Sequence, residues 1–237
     1  MCKWYRYCLA LLYPLECVIC NCSISLESDN SQFLCSDCSK RIKFISPPVC
    51  EKCGRPFHST ICSKCSRDTL FFDTVRSVAL YDGPWKELIY VFKYRRGEYL
   101  DRFLAEFIVR VIEKNQFLKR CDFLIPVPLY WLDRRRRGYN QASLLASQIG
   151  KLTSIPLLQN VLIKCKKVPS QTKLSMAQRL KNVTGAFTVR NPGTVKDKKI
   201  LLIDDVFTTG STANECAKVL KNSGASRVHV VTLARGL

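Results

Sequence analysis

Four Cys-x-x-Cys pairs within the first 65 residues constrain the fold of this chain more than any other feature. They are Cys17 with Cys20, Cys35 with Cys38, Cys50 with Cys53, and Cys62 with Cys65. Such a turn places two thiolates on one side of a tight knuckle, so two knuckles complete a four-sulfur shell around Zn²⁺ without a large core. The four pairs therefore predict two structural zinc sites.

The spacing leaves the pairing of the knuckles open. Neighbouring pairs would give two zinc ribbons in series, and alternating pairs would give a cross-braced fold. We favour ribbons in series, because the linkers of 14 and 8 residues suit short hairpins and Pro47 and Pro48 separate two similar halves. Cys22 is a spare thiol that could replace a ligand, and His58 is interpreted as a loop histidine. A disulfide-bonded secreted domain is the disfavoured alternative.

The cysteine distribution divides the chain of 237 residues into two regions. Of its 14 Cys, 11 precede residue 66, whereas the rest of the sequence has the apolar content of an ordinary globular domain. We expect a short N-terminal helix at 1–16, a zinc module at 17–70 and a larger domain at 71–237. The sequence contains no run of 20 apolar residues, so no membrane span is predicted. Lys3 and Arg6 are not followed by the small-residue cleavage site of a signal peptide, so a cytoplasmic location is expected.

The charge of the chain is strongly positive. Its net charge is +19, from 38 Lys and Arg against 19 Asp and Glu. Fifteen of the basic residues lie between Arg134 and Ile203, where Asp197 is the only acid. This imbalance predicts a polyanion or phosphate group as partner.

The segment 200–220 has the pattern of a strand, an acidic step, a hydroxyl-rich loop and a helix. The apolar run at 200–203 is typical of a buried parallel strand. Anions bind at helix N-termini, where unpaired N–H groups and the helix dipole favour negative charge, and Gly210 allows close approach of the main chain. The loop therefore predicts a phosphate site, and the adjacent Asp204 and Asp205 are better placed to accept hydrogen bonds from sugar hydroxyls.

The sequence of residues 203–212, IDDVFTTGST, resembles the 5-phosphoribosyl-1-pyrophosphate (PRPP) motif of type I phosphoribosyltransferases. The resemblance implies that Asp204 and Asp205 are catalytic residues that hold the ribose 2- and 3-hydroxyls, with Mg²⁺ bound together with PRPP. It implies that the 5-phosphate is held by the loop residues Thr208, Thr209, Gly210, Ser211 and Thr212.

Two further basic segments match places where that superfamily binds pyrophosphate. An apolar strand at 121–129 ends at two prolines and is followed by four arginines at 134–137, of which Arg137 is a candidate pyrophosphate ligand. The polar stretch at 164–182 resembles the flexible loop that closes over PRPP, with Lys173 and Arg179 as candidate ligands. A solvated charged face is the alternative for each of these side chains.

The order of all these motifs resembles the ComF family over nearly the whole chain. Besides the cysteine pairs and the PRPP motif, the resemblance rests on VFKYRRG at 91–97, PVPL at 126–129 and RGYNQ at 137–141. It implies an α/β fold, a type I phosphoribosyltransferase-like domain with a mainly parallel central sheet, preceded by a small zinc-ribbon module with four-cysteine sites. It also implies a role in DNA uptake during natural competence, with other competence proteins as partners.

Three functions compete at this point. The chain could be a phosphoribosyltransferase that acts in competence, on an acceptor that the sequence does not identify. It could also be a phosphoribosyltransferase of purine or cofactor metabolism. It could instead be a PRPP-sensing scaffold that binds single-stranded DNA through its basic stretch, with Tyr139 stacking on a base. His229 lies in a predicted strand and is interpreted as a packing residue.

Overall fold

The computed structural model describes residues 15–24, 32–166 and 183–236. The expected N-terminal helix at 1–16 lies almost entirely outside the described residues, as do Lys173 and Arg179. Within the described residues, no helix is both long and apolar enough to cross a membrane.

A parallel four-stranded sheet forms the centre of the larger domain. Its strands are β1 (Thr74–Leu80), β2 (Phe123–Pro126), β5 (Lys199–Phe207) and β6 (Arg227–Arg235), in the spatial order β1-β6-β5-β2. Leu202 of β5 pairs with Ile125 on one side and Val230 on the other. β5 is thus a central strand, and its apolar residues are buried because both faces of a parallel sheet are covered.

The side chains of β5 alternate between two hydrophobic cores. Leu201 and Ile203 belong to the core on the face covered by α3 (Gly83–Tyr94), α4 (Asp101–Glu113) and α7 (Gln141–Thr153). Ile200 and Leu202 face the opposite core, beneath α8 (Ser211–Asn222) and the antiparallel hairpin of β3 (Leu162–Lys164) and β4 (Phe187–Val189). The predicted three-layer α/β domain is confirmed.

The helical pattern predicted at 87–112 is interrupted where the sequence indicated. α3 ends at Tyr94, a 3-10 turn spans Gly97–Leu100, and α4 begins at Asp101. A side chain at position 97 would lie 2.7 Å from both Phe92 Cα and Val91 O, so only glycine fits there. The shorter helices are α1 (Ser36–Lys40), α2 (Ser63–Arg67), α5 (Gln116–Lys119) and α6 (Trp131–Arg137), with a second 3-10 turn at Pro192–Thr194.

The cysteine-rich segment lies along the free edge of β1. The backbone N–H of Ile45 donates to Val78 O at 2.9 Å, and the N–H of Leu80 donates to Lys43 O at 2.9 Å. Nearer the start of the strand, the N–H of Val75 donates to Lys52 O at 2.8 Å. The module thus covers backbone groups that an exposed edge strand would leave unpaired.

Candidate functional site

The first cluster of thiols is formed by the first two Cys-x-x-Cys pairs. The Sγ atoms of Cys17, Cys20, Cys35 and Cys38 all lie within 4.8 Å of one another. Asn21, in the left-handed region at φ 58°, closes the first knuckle, with its N–H donating to Cys17 O at 2.8 Å. The second knuckle is the start of α1, with Cys35 as its N-cap.

The second cluster repeats this construction with Cys50, Cys53, Cys62 and Cys65. Gly54, at φ 69°, closes its first knuckle by donating from its N–H to Cys50 O at 2.8 Å. The start of α2 forms the second knuckle, where the Cys62 N–H donates to Cys50 Sγ at 3.4 Å. The two clusters confirm that neighbouring pairs combine in series.

Both clusters fit a tetrahedral zinc ion. Zn–S bonds of about 2.3 Å place the sulfurs of a tetrahedron about 3.8 Å apart. The Cys20 and Cys35 Sγ atoms lie 3.7 Å apart, and those of Cys53 and Cys62 lie 3.8 Å apart. Burial acts to raise the pKa of Cys17 and Cys50, but hydrogen bonds from backbone N–H groups lower it to about 6 in each, which favours the thiolate that zinc binds.

The two ambiguous residues of the module lie outside these clusters. Cys22 belongs to neither group of four, although its Sγ lies 3.3 Å from that of Cys20. His58 is exposed and is not a member of either cluster, in agreement with its interpretation as a loop histidine.

The hydroxyl-rich loop joins the carboxyl end of β5 to the N-terminus of α8. Gly210, the N-cap residue, adopts φ 85° and has no side chain to cap the helix, and the N–H of Ser211 donates to Thr209 Oγ1 at 3.4 Å. The hydroxyls of Thr209 and Ser211 lie 2.9 Å apart, Thr208 is exposed, and Thr209 and Thr212 are half-buried. An open helix N-terminus surrounded by hydroxyls is a ready anion site.

The two acids of the motif lie inside β5. Burial and the adjacent charge of Asp205 raise the pKa of Asp204 to about 7, although the Asp205 N–H donates to its Oδ1 at 2.9 Å. Asp205 pairs with Lys93 of α3, whose Nζ lies 2.8 Å from its Oδ1, and both side chains are about 15% exposed. Burial opposes the charge of Lys93, but Asp205 raises the pKa of this lysine above its usual value.

Lys93 is a site residue that the sequence reasoning missed. It lies in the segment VFKYRRG at 91–97, which was quoted only as part of the family pattern. Its placement in that pattern, on a helix ahead of a glycine, was the available signal. The contact that brings it to Asp205 joins α3 to β5 and has no local sequence signature.

Arg137 lies near the site but does not reach the loop or the acids. It is the last residue of α6, so the four arginines lie on a short helix. Its guanidinium stacks over the Tyr94 ring at 5.0 Å and donates to Gln141 Oε1 at 3.4 Å. Of the three predicted pyrophosphate ligands, Arg137 alone is within the described residues.

A cleft of about 200 Å³ opens at the carboxyl end of β2. Pro128, Leu129 and Trp131 supply apolar wall, and Arg134 and Lys164 supply positive charge. Lys164 is also close enough to Asp204 to act against the rise in its pKa. Pro126, which lines the cleft, pairs in the sheet with Ile203, the residue before Asp204, so the cleft lies next to the acidic part of β5. The other lining residues are Asn140, Ser143, Asn160, Leu162 and Ile163.

Two predictions about single side chains have different outcomes. Tyr139 was expected to stack on a base, but it is only 9% exposed and its hydroxyl donates to Phe92 O, so that prediction is wrong. His229 is a packing residue as predicted. Its Nδ1 is 2.9 Å from Thr74 Oγ1, and burial lowers its pKa to about 4.

Two domain families match the chain. The double zinc ribbon domain family matches residues 8–67, and the phosphoribosyl transferase domain family matches residues 135–237. The fold and the two thiol clusters therefore define a double zinc ribbon joined to a phosphoribosyltransferase-type domain. The boundary expected at residue 70 remains a prediction.

The chain belongs to the ComF family. It is 34% identical to competence protein F of Haemophilus influenzae over 229 residues, which cover 94% of this chain and 98% of that protein. It is 30% identical to competence protein ComFC of Bacillus subtilis, with 94% and 96% covered. DNA utilization protein YhgH of Escherichia coli is 29% identical, with 96% and 100% covered.

Proposed function

We propose that this chain binds PRPP together with Mg²⁺ at the carboxyl end of β5 and acts in DNA uptake. One observation carries the proposal. The N-terminus of α8, with its hydroxyl-rich loop, follows two acids near the end of a central parallel strand. Ligands of open parallel sheets bind at this end of the strands. The arrangement supplies donors for a phosphate beside acceptors for sugar hydroxyls.

Different residues of the site bind different parts of PRPP. Thr208, Thr209 and the N–H groups at 210–212 hold the 5-phosphate, and Asp204 and Asp205 accept hydrogen bonds from the ribose hydroxyls. Lys93 offsets one of the two acidic charges, so the pair of carboxylates repels the phosphates less strongly. Mg²⁺ would neutralise charge on the pyrophosphate. Arg137, Lys173 and Arg179 are the proposed pyrophosphate contacts.

Calorimetric titration with PRPP and Mg²⁺ tests the site. We expect Asp204→Asn combined with Asp205→Asn to abolish measurable binding with the circular dichroism spectrum unchanged. Asp197→Asn is the matched control, because Asp197 is an exposed acid just ahead of the same strand. Equal affinity of the double variant and the wild type would refute the site.

The process is inferred from the relatives. Proteins named for competence and DNA utilization align with this chain along nearly their whole length. We infer the same process here, with other competence proteins as partners. Two clusters of thiolates suited to zinc favour a reducing compartment such as the cytoplasm. Loss of transformation on gene deletion, restored by the wild type but not by the double Asn variant, is the test in a competent host.

Single-stranded DNA binding is the second candidate function, and the exposed face of α6 favours it. Trp131 is 54% exposed, and Arg134, Arg135 and Arg136 on the same helix are exposed. An aromatic ring among guanidinium groups suits stacking of bases along a neutralised backbone. Trp131→Ala should weaken oligonucleotide binding without changing PRPP affinity. Tyr99→Ala, which removes an equally exposed aromatic ring, should leave both unchanged.

Salt dependence separates the two ligands. Oligonucleotide affinity should fall with the logarithm of salt concentration, by a slope of about 0.7 for each phosphate contacted. PRPP affinity should change far less. A flat response of oligonucleotide binding to salt would exclude the arginine-rich face as its site.

A transfer reaction, in competence or in purine or cofactor metabolism, is the third candidate. The cleft beside Asp204 supports it, because its apolar wall and two cations leave room for a second ligand. Pyrophosphate release from PRPP in the presence of candidate acceptors, followed by mass spectrometry of the products, is the assay. Absence of release with every acceptor would favour the sensing or scaffold role.

A further inference from the structure

A buried arginine lies between the second thiol cluster and the hydroxyl-rich loop at 208–212, which we call the phosphate loop. Arg235, near the end of β6, is only 2% exposed and donates to Cys53 O, with a second nitrogen 3.5 Å from Cys53 Sγ. Over the described ranges it forms no ion pair with a carboxylate. A buried charge without a counter-charge is strongly unfavourable. Four thiolates around Zn²⁺ are formally doubly anionic, so the second zinc site is the natural counter-charge for Arg235.

The same guanidinium also lies over the ring of Phe207, the residue that precedes the loop. Arg235 Cζ lies 5.1 Å from the centre of the Phe207 ring, and Phe207 is the last residue of β5. The ring in turn packs against the loop, since a side chain at Gly210 would lie 2.6 Å from Phe207 Cζ. Arg235, Phe207 and Gly210 thus form a continuous series of contacts.

A second contact ties the same ribbon to the loop. Lys64 precedes Cys65 on α2, and its Nζ donates to the carbonyl oxygen of Thr209 at 3.1 Å. The loop is thus held at Thr209 by Lys64 and at Gly210 by the ring that Arg235 covers. Lys64 belongs to the second ribbon, and Arg235 donates to Cys53 of the same ribbon.

The first ribbon has no such connection in the part of the chain that the structure describes. Asp37 takes the place of Lys64 in its matching helix, and the segment after that helix forms backbone hydrogen bonds with Val78 and Leu80 of β1. The two zinc sites therefore differ in their relation to the phosphate loop, although their ligands follow the same pattern.

We infer that the second zinc site sets the conformation of the phosphate-binding loop, with Arg235 and Lys64 as positioning residues. The consequence for ligand affinity rests on the proposed PRPP function. Coupling between two sites is reciprocal, so PRPP should also protect one of the two zinc ions against a chelator. Zinc at the first site should be released at the same rate with and without PRPP.

Arg235→Met, compared with Arg76→Met, is the central experiment. Arg76 is the matched control because it also donates to a carbonyl of the second ribbon, Glu51 O at 3.0 Å, but stacks on Phe117 instead of Phe207. With two zinc ions retained, Arg235→Met should raise the PRPP dissociation constant about tenfold, within the range of coupled sites. Arg76→Met should leave that constant nearly unchanged.

Hydrogen exchange separates this inference from the PRPP proposal. Peptides spanning 205–213 should exchange faster in Arg235→Met than in Arg76→Met without any ligand present. If the wild type fails to bind PRPP but this difference appears, the proposed function fails and the coupling stands. If Arg235→Met binds PRPP like the wild type and exchanges like Arg76→Met, the coupling is overturned and the PRPP site stands.

Lys64→Met keeps the test decisive if Arg235→Met does not fold. The Lys64 side chain is half-buried, and its loss removes one charged hydrogen bond to the loop. The PRPP dissociation constant should rise about three- to tenfold. An unchanged constant, together with unchanged exchange at 205–213, would overturn the inference by this second route.

Discussion

The two ribbons share a local pattern but differ in what surrounds it. Each has a Cys-x-x-Cys knuckle closed by a residue of positive φ, followed by a short helix that begins with Cys-Ser-x-Cys-Ser. In the first ribbon Cys20 is exposed, whereas in the second Cys53 is 4% exposed and contacts Arg235. The pattern is sufficient for the metal site, and the packing around it determines what else the site affects.

The residue that closes each knuckle shows the same difference. Asn21 closes the first knuckle and is exposed, and asparagine tolerates positive φ. Gly54 closes the second, where a Cβ would lie 2.4 Å from Val75 O on β1. The backbone conformation permits either residue, so it is the close approach of β1 that makes glycine necessary in the second ribbon.

Replacing one ligand in each ribbon should give the largest difference between them. Cys20→Ser and Cys53→Ser should each reduce bound zinc from about two ions to about one per chain, because each cluster loses one of its four ligands. Cys53→Ser should destabilise the sheet domain more than Cys20→Ser, by about 3–5 kcal/mol, since it leaves Arg235 buried without its counter-charge. Metal analysis and urea unfolding measure the two effects. Equal losses of stability would break the comparison.

Adding one methyl group to each knuckle should give the next largest difference. Gly54→Ala combines strained φ with a clash against backbone, and we expect it to lower the free energy of unfolding by about 2–3 kcal/mol. Asn21→Ala is the control, with an expected loss of about 1 kcal/mol from the left-handed conformation alone. Urea unfolding monitored by tryptophan fluorescence measures both. A smaller effect at 54 than at 21 would show that β1 does not restrict the second knuckle.

Much of the architecture could be predicted because its signals are local. The apolar run at 200–203, the hydroxyl loop and Gly210 follow one another closely, and they form a strand, a loop and a helix start as predicted. The cysteine pairs are equally local, and linker length together with Pro47 and Pro48 favoured the series arrangement that the clusters show. Each of these signals depends on residues within one turn or one hairpin.

The contacts that organise the site could not be predicted, because they join distant segments. Lys93 reaches Asp205 from a different layer of the domain, and Arg235 reaches Cys53 across 182 positions of sequence. Neither pair produces periodicity or spacing. Tyr139 was misread for the related reason that its neighbours in sequence are arginines, whereas its neighbours in space are Phe92 and the core.

The attachment of the first ribbon should depend more on apolar contact than on charge. Phe44 is 49% exposed, yet its ring stacks on Phe107 at 5.7 Å and lies 6.1 Å from Trp85. Phe44→Ala should therefore lower the free energy of unfolding by about 1 kcal/mol. The adjacent Lys43 pairs with Asp82 at 2.6 Å, but both side chains are mostly exposed, so Lys43→Met should have little effect. A larger loss of unfolding free energy in Lys43→Met than in Phe44→Ala, measured by urea unfolding, would show that charge attaches this ribbon.

Cys22 gives the smallest expected effect, and it tests whether the first ribbon has the same four-ligand site as the second. Its hydrogen bonds to Cys20 and Cys35 raise the pKa of Cys22 to about 12, so it stays a thiol beside a complete set of four ligands. Cys22→Ser should leave two zinc ions per chain and an unchanged melting temperature, as measured by metal analysis and calorimetry. The second ribbon has no counterpart to Cys22, because Arg55 occupies the matching position two residues after Cys53. Loss of one zinc ion in Cys22→Ser would therefore mean that Cys22 is a zinc ligand. The two ribbons would then bind zinc with different sets of ligands.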